Sequence, residues 1–302
     1  MLGETGLWLL FGAIVVTVLS IDLGILHKKA HAVSMKEAAF WTCAWFSLAM
    51  LFAGAIALSS GRERALQFVT GYLLEESLSA DNMFVFIIIF RYFAIPPLYQ
   101  SRVLHWGILG AIVMRFIFIF AGVSLINAFH WMIYVFGGLL IYTGAKMAFQ
   151  NEEHVDPSRN PALKLLKRFF PLTQDHHDEK FFVSLNGVLH ATPLFATLLV
   201  VEFSDLVFAL DSIPAIIAIT TDTLVVYTSN VFAIMGLRAL FFLLANLVNM
   251  FRFLKIGISL ILVFVGLKML GSMFYHVPTG ASLGVIAAIL ASSVAASLLA
   301  KK

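Results

Sequence analysis

An all-α polytopic membrane protein is the fold class that this sequence predicts, on three observations. Apolar residues fill 61% of 302 positions and charged residues only 12%, a balance far from that of a soluble domain. Stretches of about twenty mostly apolar residues, the length that carries a helix across a ~30 Å hydrocarbon core, recur along the chain. Two of those stretches hold carboxylates, as EESLSADN at Glu75–Asn82 and VEFSDLVFALDSIPA at Val201–Ala215. The two read as copies of one theme.

Nine segments meet the length rule, near 6–26, 38–59, 66–90, 103–124, 131–149, 192–220, 225–249, 255–275 and 280–300. The first is expected to stay as an anchor rather than be cleaved. Met1 to Leu7 holds no basic residue, and the apolar run is followed by His27-Lys28-Lys29. The third carries the first acidic cluster, and the fourth carries Arg115 near its centre. The sixth carries the second cluster, is too long for a straight perpendicular span, and is expected to tilt or to break at Pro214. The seventh carries Arg238. Cys43 is the only cysteine, which rules out an intrachain disulfide and a cysteine-built metal site.

Between the fifth and sixth segments lies the only sizeable polar stretch, 151–191, with EEHVDPSRNP, the basic run ALKLLKRFF and then QDHHDEK. It reads as a solvated linker between two halves. A lipid-surface role for the basic run and a metal-collecting role for Asp175, His176, His177, Asp178 and Glu179 are the other readings.

Orientation follows from the distribution of Lys and Arg. One side collects fifteen of them, in the loops after the first, third, fifth and seventh segments and at the C-terminus; the other side has Arg62, Arg64 and Lys268. This places Lys302 and the 151–191 loop in the cytoplasm and Met1 outside. The net charge of +3 then reflects helix orientation and carries no argument for nucleic acid.

Sliding the chain against itself gives its organisation. At an offset of 130, Glu75 falls on Asp205, Asp81 on Asp211 and Asn82 on Ser212. At 123, Arg115 falls on Arg238, and at 122, Gly144 falls on Gly266 and Lys146 on Lys268. Three helices separate the equivalent positions, so the second copy is expected to thread the membrane in the opposite sense. Such inverted repeats place a transport site near the midplane where the copies meet. The expected division is 1–65 for the first two helices, 66–150 for one repeat, 151–191 for the loop, 192–276 for the inverted repeat and 277–302 for the last helix.

Glu75, Asp81, Asn82, Glu202, Asp205, Asp211 and Ser212 are the candidate ion ligands. All offer oxygen, which suits hard divalent cations such as Mg²⁺, Ca²⁺ and Mn²⁺. Met83 could add one softer contact that separates Mn²⁺ from Mg²⁺. Glu202 and Asp205 share a helix face, whereas Asp81 lies about 120° round from Glu75 on an ideal helix. Pro214 removes the bond to the Leu210 carbonyl and so frees an oxygen beside Asp211 and Ser212. Arg115 and Arg238 read as counter-charges, and Asp22 either as part of an ion path or as an interfacial carboxylate. Asp81 and Asp211 have a second reading, as structural ion pairs with Arg115 and Arg238. Glu76 has no acidic counterpart at Leu206 and stays outside the primary set.

The motifs ExSLSxDN, VExSDxxFAxDSIPAI, TSNxFAIxGLRA and GLKM, within a stretch running from IDLGIL around Asp22 to YHVP at Tyr275–Pro278, resemble the TerC family of membrane proteins, most closely its Alx-type members. The resemblance implies a manganese exporter of a bacterial inner membrane, built on inverted three-helix repeats, with the seven candidate ligands at matching motif positions. Tellurite resistance and metal supply to secreted proteins are also associated with the family. No physical route to tellurite is visible, because carboxylates repel an oxyanion that Arg115 and Arg238 would attract.

The expected function is therefore secondary transport of Mn²⁺ out of the cytoplasm, with Ca²⁺ or Mg²⁺ as further cations and with protons as the expected counter-ion given the crowded carboxylates. The alternative is an accessory protein that helps translocated proteins fold or acquire metal. An enzyme is not expected: there is no HExxH zinc motif and no phosphate-binding P-loop. The charge asymmetry is tested directly by fusing alkaline phosphatase after Lys302. The fusion is expected to be inactive, whereas an active fusion would place the C-terminus in the periplasm.

Overall fold

The computed structural model describes residues 3–24, 33–129, 131–149, 158, 160–173, 178–185, 187–245, 253–272 and 277–300, without the side chains of 21–24, 81 and 84. Helices dominate: α1 (Glu4–Gly24), α2 (Met35–Ser60), α3 (Arg62–Tyr92), α4 (Pro97–Ala128) and α5 (Met132–Phe149) precede a short amphipathic α6 (Pro161–Phe169). A two-stranded hairpin follows, β1 (Phe182–Leu185) with β2 (Val188–Ala191). Then come α7 (Pro193–Ile217), α8 (Thr223–Ala245), α9 (Leu254–Gly271) and α10 (Thr279–Leu299).

The helix starts follow ordinary capping chemistry. Ser34 Oγ accepts from the Glu37 amide, Asn160 Oδ1 from the Ala162 amide, and Thr192 Oγ1 from the Phe195 amide. Asp222 Oδ1 accepts from the amides of Leu224 and Val225 at the start of α8. Each cap answers backbone donors that have no partner inside the helix. Pro97, Pro161 and Pro193 sit in the first turn, where no amide donor is needed.

Among the described residues, seven helices are long and apolar enough to cross a membrane: α2, α4, α5 and α7 to α10. The nine-segment expectation adds α1 and α3. Helix α1 has only a short apolar stretch, 4–20, and α3 carries Glu75, Glu76 and Asp81 in its middle, which dilute its apolar character. Helix α7 neither breaks at Pro214 nor reaches residue 220. It runs on through the proline and ends at Ile217, since the proline deletes one backbone bond and the helix needs to survive that loss for less than one further turn.

The stretch expected to be a linker holds structure of its own. Helix α6 buries Leu163 and Leu166 and packs on α7. The hairpin pairs Phe182 with Ala191 and Leu185 with Val188, and its connection contains Gly187 at φ 78°. Asn186-Gly187 between apolar runs is a strong hairpin signal in the sequence itself. Glu179 pairs with Arg102, whose guanidinium lies over the Phe181 ring, so this unit is tied to the start of α4. Asp175, His176 and His177 lie outside the described residues.

Two apolar clusters divide the helical body. On the hairpin side Met83, Phe86, Phe90, Leu104, Ile108, Val201 and Phe241 pack with Leu163 and Leu166. On the opposite side Phe11, Phe52, Phe68, Tyr72, Phe232 and Tyr227 form an aromatic group continued by Ile119, Ile216 and Ile217. There Arg64 pairs with Asp222, and Thr279 Oγ1 donates to Glu63, joining the starts of α3, α8 and α10. Between the clusters, α3 packs on α8, α4 on α7 and α5 on α9.

The α5–α9 seam brings two helix backbones against each other. A Cβ on Gly137 would lie 3.1 Å from the Gly266 carbonyl oxygen, and one on Gly144 only 2.8 Å from that of Ser259. Ser259 Oγ donates to the Gly144 carbonyl across the seam. Under the 122-residue offset, the pair Gly137 and Gly266 becomes Ser259 and Gly144. Small residues are needed wherever helix backbones touch in a membrane. Gly144→Leu is accordingly expected to cost at least about 1–3 kcal/mol through overpacking, read as a lower melting temperature in detergent. Gly138→Ala, where a Cβ meets nothing within 4 Å, is expected to leave it unchanged; equal losses would refute the seam.

Candidate functional site

A fully buried arginine organises the layer between the two apolar clusters. Arg115 of α4 has no exposed surface, and its Nη1 donates to Glu75 Oε1 at 2.6 Å, Ser212 Oγ at 2.8 Å and Asn230 Oδ1 at 3.2 Å. Its Nη2 donates to Asp205 Oδ1 at 3.4 Å. Asn230 in turn donates from Nδ2 to Glu75 Oε2 at 3.1 Å, and Ser79 reaches Glu75 Oε1 at 3.5 Å. Four helices therefore meet on one guanidinium: α3 gives Glu75, α7 gives Asp205 and Ser212, and α8 gives Asn230.

Helical periodicity explains which members of the acidic motifs arrive here. Asp205 and Ser212 are seven residues apart and lie within about 20° on the helix wheel, whereas Asp211 is about 120° round from Asp205. Asp211 accordingly turns to α5, where Thr143 Oγ1 donates to its Oδ1 at 3.0 Å, and it is only partly buried. Asp211 is thus paired with neither Arg115 nor Arg238 in that contact. Among the described residues the ion pairs of Arg115 are with Glu75 and Asp205.

Glu202, one turn before Asp205, lies over α4 at Gly107 and Gly110. A Cβ on Gly110 would sit 2.2 Å from its Oε1, so the glycine at 110 leaves the space that the carboxylate fills. Glu202, Asp205 and Arg238 line a cavity of about 20 Å³ with Phe86, Ile108 and Ala111. That is room for about one water molecule. The cavity lies on the hairpin side of Arg115. Asp205 Oδ2 and Arg115 Nε have no hydrogen-bond partner among the described residues.

The remaining candidates are placed less centrally. Asn82 and Met83 are buried on α3, and the Arg115 hydrogen bonds described above include neither. The side chains of Asp81 and Asp22 lie outside the described residues. Glu76, kept out of the primary set, has a buried Oε2 without a partner among the described residues. Among the described residues no three His, Cys, Asp or Glu side chains converge on one point; Arg115 fills the place where the carboxylates would otherwise meet.

Asn230 is the site residue that the sequence reading passed over. Its repeat position at the 123 offset is Gly107, so a search for matching polar pairs could not find it. The signal available was an amide beside two hydroxyls in a largely apolar helix, in the segment TSN.

Comparison with known proteins now decides the family. The model of the integral membrane protein TerC family matches residues 60–302. The chain belongs to the TerC family. A membrane protein of Myxococcus xanthus, STKORF319, is 51% identical over 297 residues, covering 98% of this chain and 93% of that protein. Alx of Salmonella typhi, named as a candidate membrane-bound redox modulator, is 50% identical over 95% of this chain and 92% of its own length. The protein of that name in Escherichia coli strain K12 is 47% identical, with 95% and 92% covered. No solved structure matches.

The geometry separates two aspartates that the sequence motif presents together. Glu75→Gln removes the nearest counter-charge of a buried guanidinium and is expected to cost on the order of 3 kcal/mol, whereas Asp211→Asn, on a half-buried hydroxyl contact, is expected to stay within about 1 kcal/mol. Thermal unfolding of the purified variants measures the difference. An Asp211→Asn loss as large as that of Glu75→Gln would contradict the assignment of Arg115 to Glu75.

Proposed function

We propose that this TerC family member is a secondary transporter that exports Mn²⁺ from the cytoplasm through a carboxylate site at the membrane midplane. The observation that carries the reading is an all-oxygen cage of Glu75, Asp205, Ser212 and Asn230 at the meeting of four helices, between two apolar layers. Oxygen donors of this kind suit a hard divalent cation, and Ca²⁺ and Mg²⁺ fall within the same chemistry. Glu202 and the cavity beside it form the entry on the hairpin side, which the Lys and Arg asymmetry assigns to the cytoplasm. In this reading the membrane is the bacterial inner membrane, with the N-terminus outside and the C-terminus in the cytoplasm.

Inverted repeats spanning α3–α5 and α7–α9 belong to the same proposal. They are supported by the exchange of the Gly137–Gly266 and Gly144–Ser259 contacts under the 122-residue offset, and by the packing of α3 on α8 as α4 packs on α7. Protons are the proposed counter-ion, since a site of several carboxylates exchanges protons as a cation enters and leaves.

A second reading, an accessory protein acting on translocated proteins or their redox state, takes its support from the folded α6–hairpin unit and from the relatives' name. Thiol exchange by this chain would require a partner's cysteine, because its sole cysteine, Cys43, stands exposed on α2.

Proteoliposomes containing only this protein distinguish the two. Radioactive manganese is expected to cross, faster under an opposing proton gradient, with Glu202→Gln and Asp205→Asn each reducing flux at least about tenfold, the loss expected from about 1.4 kcal/mol of ion binding. No flux from the wild-type protein would favour the accessory reading, and flux indifferent to a pH gradient would remove the proton from the cycle.

A further inference from the structure

We infer that Arg115 is a tethered cation which holds the midplane site while it is empty and must be displaced by the ion that binds there. The inference rests on the transport reading above and concerns how the site is loaded.

The geometry places one guanidinium nitrogen where an ion would sit. Nη1 of Arg115 lies 2.6, 2.8 and 3.2 Å from Glu75 Oε1, Ser212 Oγ and Asn230 Oδ1. Those three oxygens come from three different helices, and all are aimed at a single positive centre. A divalent ion held by the same oxygens would contract the distances to roughly 2.0–2.6 Å. Nη1 and the ion therefore compete for one position.

The same contacts supply somewhere for the guanidinium to go. Arg115 Nε bonds to nothing among the described residues, so the head group is fixed only through its Nη ends. Asp205 holds Nη2 by the longest of the four contacts, 3.4 Å, and its Oδ2 accepts nothing among the described residues. Asp205 also borders the cavity that contains Glu202. An ion arriving there meets carboxylate oxygen first. It then takes Glu75, Ser212 and Asn230 as Arg115 withdraws onto Asp205. On release, Arg115 returns, and the carboxylates are never left facing one another without a positive charge. The exchange lowers the cost of an empty site in the membrane, where an uncompensated charge is expensive, and it makes ion release easier by offering Glu75 a replacement partner.

Equilibrium binding separates displacement from a fixed neighbouring charge. If Arg115 occupies the cage at least nine-tenths of the time, removing it raises apparent affinity by about tenfold or more. Purified Arg115→Gln is therefore expected to bind Mn²⁺ at least about tenfold more tightly than wild type, while its turnover in proteoliposomes falls because nothing drives release. Arg115→Lys keeps the charge but has one nitrogen in place of a two-armed fork. It is a weaker competitor, so it is expected to bind Mn²⁺ more tightly than wild type as well. Unchanged affinity in Arg115→Lys beside a tightened Arg115→Gln would show a through-space charge effect and overturn displacement, and so would unchanged or weakened binding in both. If Arg115→Gln unfolds during purification, excess Mn²⁺ is expected to restore it, since the ion fills the vacated place; failure to do so also overturns the inference. Absence of Mn²⁺ binding or flux in the wild type would instead strike the proposed function.

Discussion

A guanidinium held in the interior of a membrane protein sets the terms for everything around it. Placing an arginine at mid-depth costs at least about 2.5–3.5 kcal/mol even on lenient scales, and Arg115 is completely buried. Its neighbours are therefore not free to vary independently. Glu75 and Asp205 supply charge, Ser212 and Asn230 supply the remaining acceptors, and the three helices that carry these groups must stay in register with α4 to within a hydrogen bond. The reverse dependence holds too: Glu75 and Asp205 could not sit on facing helices without a cation between them.

The rest of the body fixes that register from both ends. Apolar packing above and below confines the polar layer to one depth, while Asp222 ties the start of α8 to Arg64 of α3. Helix α8 is buried along nearly its whole length, so it has neighbours on every face and positions Asn230 without lipid contact. The α5–α9 seam works differently. Its glycines allow backbones to touch, with Ile141, Leu262, Val263 and Leu270 packed against the same glycines.

Much of this was legible in the sequence because burial of charge in a membrane leaves few explanations. The apolar segments, the two acidic motifs and the paired arginines gave the helical class and pointed to a common centre. Wheel geometry also carried the information that Asp81 and Asp211 lie on other faces than Glu75 and Asp205, although the motif's compactness argued for grouping them. What the sequence could not express was which carboxylates Arg115 would choose, because that depends on how helices carrying residues 40 and 90 positions away are packed against α4. Asn230 stayed hidden for a related reason: its partner position in the other half is a glycine, so symmetry gave no echo. The α6–hairpin unit is harder to read, since a polar composition fits a linker as well as a small folded unit, and only Asn186-Gly187 between apolar runs points to the hairpin.

The unequal lining on the two sides of Arg115 has an electrical consequence. Toward the hairpin there is a small cavity bordered by Glu202 and Asp205; in the other direction stand the stacked and edge-on rings of Phe11, Phe52, Phe68, Tyr72, Tyr227 and Phe232. A potential difference falls mainly across the less polarisable material, which packed rings are and a water-sized cavity is not. In the transport reading proposed above, charge moving between the cavity and the arginine cage crosses less of the field than charge moving through packed rings. Charge passing the rings crosses more of it, at about 2.3 kcal/mol per elementary charge for every 100 mV of the potential crossed. Under that reading, voltage acts more strongly on the far half of the path than on the near half.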